Sequence, residues 1–278
     1  MRTYVIAEIG SCHEGDIERA KRLIRFAKTA GADCAKMQFW SDGDRLARRR
    51  NAPELAETYR AGRIEREWIR ALSEYAKLEV GIEFGCSTYL PEDVWFVAEH
   101  CDVLKVASFE AEDRELLTAH RNAIAAGKSV VISLGMQGRK DVSQDCLRGL
   151  GCSRVSYLHC VSAYPAPAGE LGLSCLRDRW HEKPSQYDGF SDHTAHPDAD
   201  LVGAIAVAAG AKIVERHVKL HDTPDSNPDA PHSSWPSQFA AYVKAIRFAE
   251  VALYGKDLME VRDRPSEESS KQYRVRGA

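Results

Sequence analysis

Short apolar, β-rich runs alternate with amphipathic helical runs along most of the chain. The runs with strand character are residues 3–10, 34–39, 81–88, 102–108, 129–135, 154–162, 187–194 and 212–218. The runs with helical periodicity are residues 16–32, 66–79, 91–100, 113–127, 141–150, a shorter stretch near 173–180, 198–210 and 236–255. Eight strand–helix units joined by right-handed crossovers predict a parallel sheet, and eight is the number that closes an α/β (β/α)8 TIM barrel.

A single domain accounts for this pattern. A barrel of this kind needs about 250 residues, and the chain has 278. We predict that residues 1–256 form the barrel and that the charged, proline-containing residues 257–278 form a short linker-like arm. The long polar segment after the second strand carries the basic run RLARRRN at 45–51, which we interpret as a loop with a solvated or anion-facing surface.

Composition and charge narrow the possible classes of function. A net charge of −3 provides no basic surface for nucleic acid. No segment approaches the length of a membrane span, and the first apolar run meets Glu8 before it reaches the length of a signal peptide. We therefore expect a cytoplasmic protein that binds neither nucleic acid nor membrane. Its eight cysteines include no CxxC pair, which predicts buried thiols rather than a disulfide framework or a zinc site.

Two histidines follow neighbouring strands near the end of the predicted barrel. His193 lies in YDGFSDHTAHP at 187–197, together with Ser191 and Asp192, and His217 lies in KIVERHVK at 212–219, together with Glu215. The carboxyl ends of parallel barrel strands form one face, so the two imidazoles should meet there. Two imidazoles at an open site suit a divalent first-row metal. The alternative is that each histidine is a hydrogen-bonded polar residue at a strand end.

Reactive side chains follow nearly every other strand as well. The fifth strand is the exception, with only Ser133, Gly135 and Met136 at its end. Lys36 and Gln38 are two residues apart, so both should face the barrel axis. A lysine buried there needs an anion, and Lys36 and Lys105 could bind a phosphate or carboxylate together with nearby hydroxyls. The alternative is that each lysine is an ion-paired core residue. The candidate hydroxyls are those of Thr88, Ser108 and Ser191.

Nine short stretches, in order along the chain, resemble the N-acetylneuraminate (sialic acid) synthases and their relatives for other nonulosonic acids. These stretches are AEIGSCHEGD (7–16), AGADCAKMQ (30–38), CST (86–88), DVLKVASFE (102–110), SLGM (133–136), LHCVSAYPAP (158–167), GFSDHT (189–194), AGAKIVERHV (209–218) and PDAPHSSWP (228–236). The resemblance implies a barrel enzyme that condenses phosphoenolpyruvate with the open-chain aldehyde of an aldose. The products would be inorganic phosphate and a 2-keto-3-deoxy sugar acid.

The resemblance also implies roles for individual residues. It makes Glu8, His193 and His217 the catalytic group, with Glu8 placing a water or handling a proton. The same two histidines would bind a divalent metal, which is most often Mn²⁺ in this family, with Mg²⁺ or Co²⁺ as alternatives. Phosphoenolpyruvate would be held by Lys36, Gln38, Thr88, Lys105, Ser108 and Ser191. The sugar would contact Glu110, Tyr164 and Asp229, although Tyr164 also reads as a packed loop aromatic and Asp229 as a turn residue.

The sequence departs from the family pattern at several positions. Cys12 stands where the motif AEIGxNHxG has asparagine, and we interpret it as a packing residue, with a nucleophilic thiol as the alternative. Tyr89, Leu90 and Pro91 replace a usual aromatic and arginine, and Ser162 replaces an asparagine. Family members usually continue into an antifreeze-like domain that contacts the N-acetyl group of the sugar. We expect this chain to lack that domain, so that a homodimer or a separate chain could complete the site, or the sugar could differ.

Two other functions fit parts of this pattern. A barrel can also support a metal-assisted aldolase or hydrolase, because fold alone does not determine the reaction. Alternatively, the chain could be a binding or regulatory subunit that has lost its lid. Lysines in an anion site favour the synthase over a hydrolase of a neutral substrate, and the presence of Glu8, Lys36, His193 and His217 argues against a degenerate subunit.

Overall fold

Eight parallel strands close into a barrel, as the sequence predicts. The computed structural model describes residues 2–136, 145, 154–177, 187–197 and 199–255. The strands pair in sequential order from β1 to β8, and β1 pairs in turn with β8. They are β1 Tyr4–Glu8, β2 Cys34–Phe39, β3 Glu83–Thr88, β4 Val103–Val106, β5 Ser129–Leu134, β6 Val155–Cys160, β7 Gly189–Asp192 and β8 Ile213–His217.

Helices surround the barrel, and most of them pack an apolar face against the strands. They are α1 Ile17–Ala30, α2 Gly43–Arg49, α3 Ala56–Ala61, α4 Arg66–Glu74, α5 Val94–His100, α6 Arg114–Ala125, α7 Ala199–Ala208 and α8 Pro236–Tyr254. The ends of α1 are those that the sequence predicts. The Asp16 side chain accepts the backbone N–H groups of Glu18 and Arg19, and Gly31, at φ 91°, ends the helix in the left-handed region.

Alternation along the strands divides the barrel interior into an apolar and a polar layer. Toward the amino ends of the strands, the interior is filled by Ile6, Cys34, Val103, Val131 and Leu158. Two residues further along their strands, Ile6 and Cys34 give way to Glu8 and Lys36, which are register partners. Because side chains two residues apart share a face, the polar layer opens at the carboxyl ends of the strands.

The segment after β2 is more ordered than the sequence suggests. Residues expected to form a long polar loop fold into α2, a 3₁₀ turn at Pro53–Leu55 and α3. The basic run at 45–51 therefore lies largely on a helix, which corrects the loop prediction. The Asp42 side chain caps α2 by accepting the N–H of Arg45. Only Gly43, Leu46 and Ala47 of this helix are buried. Its sequence therefore shows little of the apolar periodicity that predicts a helix.

Two other helical predictions change in the structure. The helix expected over 66–79 is α-helical only to Glu74 and continues as a π-helical turn, Tyr75–Val80, before Gly81 ends it at φ 71°. The stretch near 173–180 begins as a 3₁₀ turn, Leu173–Leu176. Its last residues, most of the helix predicted at 141–150 and the arm at 257–278 lie outside the described residues.

Asp192 and Arg216 form a buried ion pair on the outer side of the sheet, 3.2 Å apart and with no exposed side-chain surface. Asp192 also accepts the hydroxyl of Tyr242 on α8 at 3.0 Å. Arg216 donates to the Thr194 carbonyl at 2.7 Å and to the Ser234 hydroxyl at 2.9 Å. The pair therefore ties β7 and β8 to α8, and Asp192 faces away from Ser191 and the interior.

The described parts of the chain contain no helix that is long and apolar enough to cross a membrane. Cys12, Cys34, Cys86, Cys101 and Cys160 are buried, as the sequence predicts for thiols in a protein of this composition.

Candidate active site

Four charged side chains form a layer inside the carboxyl end of the barrel. Glu8, Lys36, Lys105 and Glu215 are each 4% exposed or less. Lys36 Nζ lies 2.5 Å from Glu8 Oε2 and 3.7 Å from Glu215 Oε2. Lys105 Nζ lies 3.9 Å from Glu215 Oε1. Both lysines thus lie near carboxylates. This arrangement agrees with the alternative, considered from the sequence, that each lysine is ion-paired in the core. We call these four residues the charged layer.

Hydrogen bonds orient the charged layer. Gln38 Nε2 donates to Glu8 Oε1 at 2.7 Å, and Ser191 Oγ donates to Glu215 Oε1 at 3.0 Å. Lys36 Nζ also donates to Ser87 Oγ at 2.8 Å. The structure thus brings four predicted anion-site residues, Lys36, Gln38, Lys105 and Ser191, to one end of the barrel axis.

The two carboxylates of the charged layer titrate differently. Burial raises the pKa of Glu8 to about 7, against the opposing effect of Lys36. Burial also acts to raise the pKa of Glu215, but Lys105 and Lys36 outweigh it and hold that pKa below its ordinary value. Glu215 is therefore a fixed anion at neutral pH. Glu8 is balanced between its charged and neutral forms, as a proton-transferring group requires.

The hydroxyls of Thr88 and Ser108 already have partners. Thr88 Oγ1 lies 3.1 Å from His120 Nε2, and His120 Nδ1 lies 2.9 Å from the Leu116 carbonyl. Because Nδ1 must donate to that carbonyl, Nε2 of a neutral ring accepts the Thr88 proton. Ser108 Oγ accepts a hydrogen bond from Ser162 Oγ at 2.8 Å. The structure therefore ties the Thr88 proton to α6 and links Ser108 to the strand-six loop.

Three imidazoles meet beside the charged layer. The ring centroids of His193 and His217 are 5.7 Å apart, those of His193 and His232 are 5.9 Å apart, and those of His217 and His232 are 4.5 Å apart. We call these rings the imidazole cluster. It confirms that the strand-seven and strand-eight histidines converge. It also adds His232, from the loop after β8, which the sequence analysis did not single out.

The imidazole cluster is neutral at physiological pH. Burial lowers the pKa of His193, and burial with the neighbouring His232 and His193 lowers that of His217 far below its ordinary value. Burial also lowers the pKa of His232, to about 4. His193 Nδ1 lies 3.1 Å from the Val161 carbonyl, so this nitrogen donates and Nε2 keeps its lone pair. Neutral imidazoles with free lone pairs are the form that binds metal ions.

Asp229 completes a group of metal-ligating side chains. Its Oδ1 lies 3.9 Å from His217 Nδ1 and 3.6 Å from His232 Nε2. Ligand atoms of His217, Asp229 and His232 all lie within 4.8 Å of one another. The donor set, two imidazoles and a carboxylate beside a third imidazole, fits a divalent first-row ion. The sequence predicts the pair His193 and His217, whereas the tightest grouping here joins His217 to Asp229 and His232.

The loop after β1 fixes the position of Asp229. Asp229 Oδ2 accepts the backbone N–H of Ser11 at 2.6 Å and the Ser11 hydroxyl at 2.7 Å. Gly10 has φ +53°, and a Cβ at this position would lie 2.3 Å from Asp229 Oδ2. Only glycine therefore allows this approach. Because Ser11 holds Oδ2, Oδ1 faces His217 and His232. Asp229 therefore does more than form a turn, which was the alternative considered from the sequence.

Cys12, in the loop after β1, packs against the loop after β8. Its Sγ lies 3.7 Å from both Asn227 Oδ1 and Ser233 Oγ. Burial, with the nearby charge of Asp229, raises the pKa of the thiol to about 12. The thiolate that a nucleophile requires is therefore disfavoured, and the structure supports the interpretation of Cys12 as a packing residue.

Glu110 and Tyr164 lie at the mouth of the barrel. Glu110 Oε1 accepts the Arg50 Nε–H at 2.7 Å, while Oε2 is buried without a hydrogen-bond partner among the described residues. The Arg50 guanidinium lies 5.0 to 5.5 Å from the ring centroids of Tyr59, Tyr89 and Phe109. Tyr164 stacks on Phe109 and is 41% exposed. Glu110 therefore presents one oriented, unpaired oxygen beside an accessible aromatic surface.

Comparison with known proteins assigns the chain to a family. The sequence profile described as the NeuB family matches residues 23–257. The chain belongs to the NeuB family. The match begins after β1, so Glu8 lies outside it, and His193, His217 and His232 lie within it.

Several proteins similar to this chain are named as synthases. N-acetylneuraminate-9-phosphate synthase of Homo sapiens is 32% identical over 263 residues, covering 90% of this chain and 71% of the human protein. Pseudaminic acid synthase of Campylobacter jejuni is 28% identical over 270 residues, covering 91% and 75%. The crystal structure of N-acetylneuraminic acid (sialic acid) synthetase from Leptospira borgpetersenii, in complex with citrate, superposes with a TM-score of 0.79. The identity is 25%, over 98% of this chain and 91% of that one. This chain is therefore an enzyme of the sugar-acid synthase type.

Sequence reasoning on this NeuB-family chain named Glu215 only beside His217, and it gave no role to His232 or Arg50. Glu215 is two residues before His217, and this spacing, which places both on one face, could have included it. His232 lies in PDAPHSSWP, a loop whose path no periodic pattern predicts. Arg50 lies in the segment expected to be a loop, and only the folding of α2 brings it to Glu110.

Proposed function

We propose that this protein condenses phosphoenolpyruvate with the open-chain aldehyde form of an aldose, yielding a 2-keto-3-deoxy sugar acid and inorganic phosphate. One observation carries the proposal: a buried pair of lysines and an acid with a pKa near 7 lie beside the imidazole cluster at the mouth of a NeuB-family barrel. The lysines suit an anionic substrate, the acid suits proton transfer, and the imidazoles suit a metal ion.

The charged layer is the proposed binding site for the phosphate and carboxylate of phosphoenolpyruvate. Lys36 and Lys105 supply positive charge, and Gln38 and Ser191 supply donors that can turn from Glu8 and Glu215 to the substrate. Thr88 and Ser108 belong to the same proposed set, with their oxygens positioned by His120 and Ser162. Lysine is suited to this task because its ammonium group can follow a phosphate that moves during the reaction.

The protonation state of Glu8 sets the net charge of the charged layer and therefore its affinity for an anion. With Glu8 and Glu215 both ionised, the two lysines are fully compensated, and a multiply charged anion gains little by entering. Protonation of Glu8 leaves one net positive charge in the charged layer. A group poised near pH 7 can make this change at small cost. Glu8 would then release its proton later in the reaction.

The imidazole cluster is the proposed metal site, with His193 and His217 as ligands for Mn²⁺, or for Mg²⁺ or Co²⁺. When bound, such an ion supplies Lewis acidity to the aldehyde oxygen. The residues of the chain would place the aldehyde carbon against carbon 3 of the enol. As the C–C bond forms, the aldehyde oxygen would take the proton that Glu8 carries, and the positive charge that develops at carbon 2 would be stabilised by the carboxylate of Glu215.

Glu8 is the proposed base for the second half of the reaction. A water adds to carbon 2 and loses its proton to Glu8, and the bond from carbon 2 to the phosphate oxygen then breaks. Phosphate leaves with that bonding pair, and the keto group forms as the new hydroxyl loses its proton to the departing phosphate. Atoms and charge balance, because one water enters and one inorganic phosphate leaves.

Glu110, Tyr164 and Asp229 are the proposed contacts for the aldose. The unpaired Glu110 Oε2 is oriented to accept a sugar hydroxyl, and Tyr164 with Phe109 offers a stacking surface. We leave the aldose open between free and phosphorylated, and between acetylated and plain sugars. A homodimer or a separate partner domain at this mouth is part of the same proposal, as are a cytoplasmic location and a linker role for residues 257–278.

Phosphate release from phosphoenolpyruvate with Mn²⁺ tests the proposal. The panel of aldoses would include N-acetylmannosamine, mannose, arabinose and their phosphates. We expect release that depends on one class of aldose and is lost in His217→Ala. His100→Ala, a histidine at the end of α5 away from the site, is the matched control and should retain activity. Binding of phosphoenolpyruvate without release would indicate a missing partner domain, and an absence of binding would refute the synthase proposal.

A further inference from the structure

We propose that His232 is a third imidazole ligand of the divalent ion, joining His193 and His217, with Asp229 Oδ1 facing the same ion. The inference rests on the proposed function only in that the site binds a divalent cation. It adds a ligand from the loop after β8, which the sequence pattern of strand ends does not predict.

The first observation is that His232 is buried without hydrogen bonds. The residue is 1% exposed, and neither Nδ1 nor Nε2 has a hydrogen-bond partner among the described residues. His217 Nδ1 is likewise buried and unpaired. Buried polar atoms are almost always satisfied, because an unpaired buried nitrogen is costly. Two adjacent imidazoles with unpaired nitrogens therefore indicate a ligand that binds both.

The second observation is the separation of the rings. Imidazoles that share one ion, with metal–nitrogen bonds of about 2.1 Å, place their centroids about 4.5 to 5.2 Å apart for angles between 90° and 109°. The His217–His232 centroid separation is 4.5 Å. His193 lies at 5.7 and 5.9 Å from the other two rings. The pair that includes His232 therefore already has the required spacing, and His193 needs only a small movement.

The third observation is the charge around His232. The nearest carboxylate, Asp229, has its Oδ1 3.6 Å from His232 Nε2, beyond hydrogen-bonding distance. Its other oxygen is held by Ser11. An oxygen and two nitrogens thus surround a space without touching one another. A divalent cation would bind all three at once after a small contraction of the group to metal–ligand distances of about 2.1 Å.

Metal binding measured without turnover tests the inference. We would titrate Mn²⁺ into the wild-type protein, His232→Ala and His100→Ala by calorimetry, and record the visible absorption of each after loading with Co²⁺. We expect His232→Ala to weaken Mn²⁺ binding about 10- to 100-fold or more. We also expect the Co²⁺ bands to change in position and intensity, since they report the number and type of ligands. His100→Ala should match the wild type in both measurements.

A second variant guards against a simple folding defect. His232→Asp keeps a ligating side chain, so we expect it to recover part of the affinity that His232→Ala loses. Circular dichroism and a thermal melt would confirm that both variants fold. An unchanged Mn²⁺ affinity and an unchanged Co²⁺ spectrum in His232→Ala would overturn the inference, as would a wild-type protein that binds no divalent ion. Metal binding through His232 in a protein that neither binds phosphoenolpyruvate nor releases phosphate would leave the inference standing and refute the proposed reaction.

Discussion

Glu8 connects the electrostatics of the barrel to pH. Its pKa is raised to about 7, mainly by burial, so it is protonated below that value and ionised above it. Protonation frees one lysine charge for an anion. We therefore expect the affinity for phosphoenolpyruvate to fall as the pH rises from 7.0 to 8.5, by up to about tenfold per pH unit. The substrate phosphate is itself largely in its doubly ionised form over this range, since its second pKa is about 6.

The variant Glu8→Gln isolates this effect. The side-chain carbonyl of the new glutamine can still accept the hydrogen bond from Gln38. The substitution removes the carboxyl group that titrates near pH 7. We expect binding that is nearly independent of pH from 7.0 to 8.5, together with loss of turnover. Calorimetry with phosphoenolpyruvate and no added metal provides the measurement. The same pH slope in Glu8→Gln and the wild type would assign the titration to another group.

Arg50 acts on the proposed sugar site through Glu110. It holds Glu110 Oε1 and stacks among three aromatic rings, so Oε2 is fixed in direction. Lysine keeps the charge but loses both the planar fork and the stacking. We expect Arg50→Lys to raise the KM for the aldose about tenfold, with little change in phosphoenolpyruvate affinity. Arg45→Lys within α2, which ends just before Arg50, is the control, because Arg45 is exposed and paired with Glu92. Equal changes for both substrates would indicate a general disturbance of α2.

The sequence predicts a residue of the site where the two-residue periodicity of a strand shows which face of the sheet the side chain occupies. Lys36, Gln38, Ser191 and His193 follow from spacing alone, because residues two apart share one face. His232 does not, since it depends on the path of an irregular loop. The pairing of Thr88 with His120 was equally hidden, because it joins β3 to a helix residue 32 positions away.

Among the elements, β7, β8 and α8 depend on one buried ion pair. Removing one member of such a pair leaves the other charged and unpaired, which costs about 3–5 kcal/mol. We expect Asp192→Asn to reduce the free energy of unfolding by about this amount, because Arg216 is fully buried beside it. Denaturation in urea gives the measurement.

The control for that experiment is a carboxylate of the same kind at the surface. Asp200 pairs with His196, and both side chains are more than 40% exposed. Exposed pairs contribute about 0–1 kcal/mol, so Asp200→Asn should be nearly neutral. Similar losses in the two variants would show that the Asp192–Arg216 pair is not the source of stability at this position.

The elements themselves were predicted in proportion to their apolar content. β2 begins and ends at the predicted residues, since a run from Cys34 to Phe39 that is almost wholly buried has a continuous signal. α2 and α3 were missed because a short helix with one or no buried leucine has little periodicity. Their position in space, over the barrel mouth, comes from tertiary contacts such as that of Arg50 with Glu110.

At the scale of the whole molecule, alternation of strands and helices was enough to predict a closed barrel. The count of eight units fixes the architecture through geometry. The sequence does not reveal how the loops at the carboxyl ends of the strands contact one another. For example, Ser11 in the loop after β1 donates a hydrogen bond to Asp229 in the loop after β8. Such contacts join residues 218 positions apart, and no local pattern reports them.

The pairing of β1 with β8 determines when the site can exist during synthesis. Glu8 and Lys36 leave the ribosome long before Glu215 and His217, so a partly made sheet keeps two open edges and lacks one of its two carboxylates. Open edges invite pairing with other chains. Translation of the final strand therefore removes both edges and balances the lysines, and it adds His217 beside His193, which has already been made. A nascent chain interrupted before that strand can neither hold the proposed ion nor protect itself from aggregation.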